Sequence, residues 1–127
     1  MTKETQLLRQ IHPSFVRLGQ VTSQAFRPTP KDEDRLSTED GDRIAPEAAW
    51  RRYAEVLALL STGVMGILAA TCVAEGLVVE PDGAPTPEHV SVIFAGLTSG
   101  QRERVSKRLR DAADARGWLY RPSAGVA

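Results

Sequence analysis

The sequence predicts a single small α+β domain, a mainly antiparallel sheet with two helices packed on it. Three observations carry that reading. The chain has 127 residues, the length of one ordinary domain. Two stretches, 46–60 and 99–116, repeat their apolar residues at helical spacing between recognisable start and stop signals. Three short segments, 21–26 with imperfect alternation and the more apolar 64–71 and 89–94, lie between proline, glycine and polar turn residues and read as strands. The globular domain is expected to span 1–121, with a flexible tail at 122–127.

Taken in order, Lys3 to Ile11 reads as a short helix, with Leu7, Leu8 and Ile11 on its apolar side and Pro13 enforcing a stop at His12. A turn at Leu18-Gly19-Gln20 leads into the strand of Val21 to Phe26. Pro28 and Pro30 remove two amide donors and fix an irregular, exposed loop. Leu36 to Thr38 follows as a short edge strand, then Asp40-Gly41 as a turn. Pro46 suits the first position of a helix and Glu47 its positive end. Trp50, Tyr53, Leu57 and Leu60 then share one apolar face. Val64 to Val73 is apolar without clear periodicity, and 64–71 reads as a buried strand, with buried helix the alternative. A proline-rich loop precedes the strand His89 to Phe94. Thr98 and Gln101 have capping-box spacing at the start of the last helix, and Gly117 ends it. The expected core comprises Phe26, Trp50, Tyr53, Leu57, Val64, Ile67, Cys72, Val92, Phe94, Val105, Leu109 and Trp118.

With 16 basic and 16 acidic side chains, the net charge of zero argues against a protein that coats nucleic acid by charge alone. One cysteine, Cys72, excludes an internal disulfide and points to a reducing compartment. The apolar stretch from Val56 to Val79 is interrupted too often by Ser, Thr, Gly and Glu to span lipid, and the first residues have no apolar leader. A cytoplasmic location, without membrane attachment, is the expectation.

The charges are unevenly placed. Residues 32–42 hold Asp32, Glu33, Asp34, Glu39, Asp40 and Asp42 against Arg35 alone. The last helix holds Arg102, Arg104, Lys107, Arg108, Arg110 and Arg116 against Glu103, Asp111 and Asp114. Such opposed patches favour docking on a protein partner, with Asp32, Asp34, Asp40, Asp42, Arg104, Lys107 and Arg108 as contact residues. No glycine-rich phosphate loop, zinc spacing or EF-hand register is present, so neither a cofactor nor a metal is expected.

Only two histidines occur, His12 and His89, each beside a loop. Two imidazoles with a nearby cation suit phosphoryl transfer without a metal, one ring as base, one as acid, and Arg27, Lys31 and Ser23 on the phosphate.

Ile11-His-Pro-Ser-Phe, then Ser23-Gln-Ala-Phe-Arg-Pro, then Leu36-Ser37 and Pro87-Glu88-His89, form a layout that resembles a group of small uncharacterised bacterial proteins. The resemblance covers most of residues 11–95. It implies that these segments face one another in space, and it brings no activity with it.

Two functions are therefore expected in turn. The first is an interaction module, an accessory or immunity-type partner protein without catalysis of its own. The second is an enzyme of phosphoryl transfer or of nucleotide or RNA processing, using His12 and His89.

Overall fold

The computed structural model describes residues 1–122; the remainder of the expected tail lies outside the described residues. Five antiparallel strands form the main sheet in the order β5-β1-β4-β7-β6. They are β1 (Gln6–Ile11), β4 (Arg35–Asp40), β5 (Gly63–Leu68), β6 (Val78–Glu80) and β7 (His89–Ile93). The pair β2 (Val16–Arg17) and β3 (Gln20–Val21) makes a separate two-stranded hairpin. The helices are α1 (Pro46–Arg51), α2 (Ala69–Ala74) and α3 (Ser99–Arg116). This is the α+β domain expected, with its antiparallel sheet.

Alternation along the strands divides the sheet into two faces. Leu7, Ile11, Leu36, Met65, Ile67, Val90 and Val92 point one way, into the main core beneath Val105, Leu109 and Ala113 of α3. Leu8 and Val64 point the other way, against Ala49 and Trp50 of α1 and the returning Leu119 and Tyr120. The two helices read from the sequence thus lie on opposite faces of the sheet rather than covering one side. α3 keeps the bounds read from the sequence, with the Thr98–Gln101 capping box formed and Gly117 at its end.

The segment read as a helix at 3–11 is instead strand β1, hydrogen-bonded on both sides. Leu7 and Ile11 are four apart, which places them on one face of either a helix or a strand, so pattern alone could not decide. Leu36 belongs not to an edge strand but to β4, the middle strand of the sheet. Of the run 21–26 only Val21 is in a strand; Ser23–Phe26 forms a 3₁₀ turn that still buries Phe26 completely. The run 64–71 divides into β5 and the start of α2, which carries the buried Cys72. Burial pushes the Cys72 thiol up to about 12, with Glu75 adding to the effect, so it is not a nucleophile at neutral pH.

The helix expected to reach residue 60 is regular only to Arg51 and continues as a single π-helical turn over Arg52–Val56. Trp50 and Tyr53 are half-buried, and Leu57 and Leu60 are exposed rather than core residues. π-turns of this kind recur at functional sites, where they re-aim side chains. No helix among the described residues is long and apolar enough to cross a membrane.

Candidate functional site

β1 and β4 are neighbours in the sheet, yet they pair only at Leu7–Asp40 and Leu8–Glu39. Beyond that point β1 continues alongside β5, and β4 alongside β7, so the two central strands part. The parting opens a cleft of about 510 Å³. Arg9 bridges it: Nε donates to the Ala25 carbonyl at 2.7 Å, and Nη1 to the Ser37 carbonyl at 3.0 Å. A side chain thus replaces part of the missing backbone ladder. Burial lowers the Arg9 pKa to about 10, against the opposing pull of Tyr53 and Asp32, and the group stays cationic at neutral pH.

Both histidines line this cleft, as does Lys31. His12 precedes Pro13, is held extended, and caps the 3₁₀ turn Pro13–Phe15. Its Nδ1 accepts the Ser14 amide at 3.0 Å and lies 2.8 Å from the Ser14 hydroxyl, and its ring meets Phe15 edge-on. An Nδ1 that accepts an amide N–H leaves the proton of the neutral ring on Nε2, so His12 offers a donor at that atom.

His89 is arranged the other way. At the start of β7, opposite Glu39, its Nδ1 lies 2.6 Å from Asp82 Oδ1, while Asp82 Oδ2 accepts the Ser91 hydroxyl at 2.6 Å. Desolvation acts to raise the Asp82 carboxyl, but the hydrogen bonds from Ser91 and His89 outweigh it and hold the group below the usual carboxylate range. An ionised carboxylate only accepts, so Nδ1 carries a hydrogen, and in the neutral ring Nε2 has a free lone pair. Ser91 bonds the aspartate and not the imidazole, so these three residues are not a nucleophilic serine triad.

The adjoining wall holds a second charge set. Arg52 pairs with Glu39 and, at 3.2 Å, with Glu88. Burial raises the Glu39 carboxyl despite Arg52 beside it. Asp32 is occupied locally, taking the Thr29 amide at 2.8 Å and the Thr29 hydroxyl at 2.6 Å. Burial works to raise Asp32 as well, and the Thr29 bonds with nearby Arg9 bring it below its ordinary value. Lys31, beside it in the same turn, is exposed and forms no ion pair with a described carboxylate.

The other residues singled out in the sequence lie elsewhere. Ser23 borders a separate hollow with Ser14, Arg17 and Thr22, and Arg27 reaches Ser99 Oγ at 3.3 Å. Asp34 pairs with Arg102 at 2.7 Å, so the acidic loop meets the basic helix within the molecule. Asp40 is buried and accepts the Asp42 amide at 2.8 Å; Asp42 in turn accepts the Thr5 hydroxyl at 2.5 Å. On α3, Arg108 pairs with Glu75 at 2.6 Å and Lys107 with Glu103 at 3.4 Å, while Arg104 borders a small hollow between α2 and α3. Of the segments in the recurring layout, His-Pro-Ser and Pro-Glu-His each contribute a histidine to the cleft, whereas Ser23–Phe26 packs into the core. Among the described residues, no three His, Cys, Asp or Glu side chains converge as a metal ion would require.

Sequence reasoning missed Arg9, Gln10, Arg52, Tyr53 and Asp82. One signal was present: two polar residues, Arg9 and Gln10, interrupt an apolar run, and polar groups on a buried strand need a reason. Comparison with protein-family models, curated proteins and solved structures finds no match, and the functional reading therefore rests on the site.

Proposed function

We propose that this protein is an enzyme that acts on a small phosphorylated substrate by acid–base catalysis in the cleft between β1 and β4. The observation that carries the reading is that His12, Lys31 and His89, distant in sequence, line one cavity together with Arg9. The two rings present Nε2 atoms of opposite character. His89, backed by Asp82, takes the proton of an attacking hydroxyl as that oxygen bonds to phosphorus. The bond from phosphorus to the leaving oxygen breaks, and the Lys31 ammonium protonates that oxygen. His89 then releases its proton to solvent, from which Lys31 regains one. Arg9 and the His12 Nε2–H hold the phosphoryl oxygens as their charge grows.

The docking alternative draws less support. Its complementary patches are partly consumed inside the fold, by Asp34 with Arg102 and by Arg108 with Glu75. Turnover assays on a panel of phosphomonoesters and phosphodiesters test the choice. His89→Ala is expected to lose about 10²- to 10⁴-fold in kcat and His12→Ala about 10²-fold, both with wild-type folding. An active wild type whose rate survives both substitutions would overturn the assignment, as would a wild type inert towards the whole panel.

A further inference from the structure

The floor and the rim of the cleft differ in chemistry, and the difference points to a class of substrate. In the floor, one donor is left over. Arg9 uses Nε and Nη1 on carbonyls, while Nη2 has no hydrogen bond among the described residues. Arg9 lines the cleft, where an oxyanion would satisfy that donor.

The rim is apolar. Leu57 and Leu59 are 51% and 46% exposed, and with Tyr53 and Pro85 they edge the same cavity. They follow the π-turn of Arg52–Val56, and the chain returns to the sheet where the Thr62 amide meets the Ile11 carbonyl at 2.7 Å. Adjacent large apolar side chains at a cleft mouth are the usual lining for the body of an organic ligand. A cavity of about 510 Å³ is also far larger than a bare phosphate needs. Asp32 and Glu39 in the walls would repel a second or third anionic group, which disfavours a polyanionic strand.

We propose that the cleft takes a phosphate ester of an apolar alcohol, with its single anionic head on Arg9 Nη2 and its body against Tyr53, Leu57 and Leu59. The proposal rests on the reading of this cleft as the substrate site, and it is tested by binding without turnover. The probe is 1-naphthylmethylphosphonate, whose carbon–phosphorus bond resists hydrolysis. It is compared by calorimetry with methylphosphonate, which lacks the body, and with 1-naphthol, which lacks the head.

The full probe is expected to bind at least about tenfold more tightly than either fragment, and to shift the Arg9 guanidinium resonances. The double variant Leu57→Ser/Leu59→Ser, which touches only exposed side chains, should bring the probe to the level of methylphosphonate. Arg9→Lys retains the charge but loses the planar fork, and should weaken the probe about tenfold. Equal affinity for probe and fragments, or a probe indifferent to the leucine pair, would overturn the proposal. If the probe behaves as expected while His12→Ala and His89→Ala leave turnover intact, the catalytic reading fails and the ligand class stands. If the probe does not bind while those variants lose turnover, the reverse holds.

Discussion

Asp82→Asn is expected to reduce kcat as severely as removal of His89 itself, with little change in KM. Asp82 Oδ1 lies 2.6 Å from His89 Nδ1. The carboxylate accepts a hydrogen there and thereby keeps Nε2 free of one. An asparagine places an NH₂ group within reach of Nδ1, and an Nδ1 that accepts a hydrogen bond leaves the ring proton on Nε2, where the substrate's proton has to go. The base is then blocked although every heavy atom keeps its place. Aspartate-to-asparagine changes behind a catalytic histidine cost up to about 10⁴-fold for this reason.

The carbonyl of the introduced asparagine still accepts from Ser91 Oγ, which lies 2.6 Å from the native Oδ2, so folding should survive. Asp82 touches His89, Ser91 and, at 3.7 Å, Arg35, and does not itself line the cleft, which is why KM should hold. A loss of kcat below about fivefold would show that Asp82 does not set the state of His89.

The largest effect on stability is expected from Phe26→Ala. Phe26 is, with Phe94, the largest fully buried side chain, and it closes the short 3₁₀ turn Ser23–Phe26, which packs beneath α3. Removing the ring deletes its transfer free energy and leaves a cavity that a strand on one side and a helix on the other cannot readily fill. The expected cost is about 3–5 kcal/mol, a large share of the ~5–15 kcal/mol that stabilises an ordinary domain. Urea unfolding reads this directly, as a lower midpoint at unchanged slope. A cost under about 1 kcal/mol would mean that the segment packs loosely and does not anchor the hairpin side of the cleft.

These two residues also show what was legible in the sequence. Phe26 was readable as core although its strand was not, because burial follows the side chain's chemistry while the choice between a strand and a 3₁₀ turn follows from two prolines and a neighbouring helix. The helix α3 was readable end to end, since Thr98, Gln101 and Gly117 are local signals. β1 was not, since Leu7 and Ile11 share a face in either a helix or a strand and only pairing with β4 and β5 decides.

In the site, His12, His89 and Lys31 were identified as residue types suited to chemistry, and the fold brings them to one cleft. Arg27 and Ser23 were named by proximity in sequence, which the 3₁₀ turn at Ser23–Phe26 converts into a different direction. Asp82 lay in a proline-rich loop with nothing to connect it to His89 until β7 was placed. The cleft itself could not be read at all. It exists because two central strands part after two residue pairs, and no local pattern encodes that parting.

With only two histidines in the chain, the most direct test of the site is a long-range ¹H–¹⁵N NMR spectrum of the two rings, free and with 1-naphthylmethylphosphonate. A shared site requires opposite neutral forms, with hydrogen on Nδ1 of His89 and on Nε2 of His12, and both rings responding together as the probe binds. Hydrogen on Nε2 of His89, or a probe that moves one ring and leaves the other unchanged, would contradict a shared site.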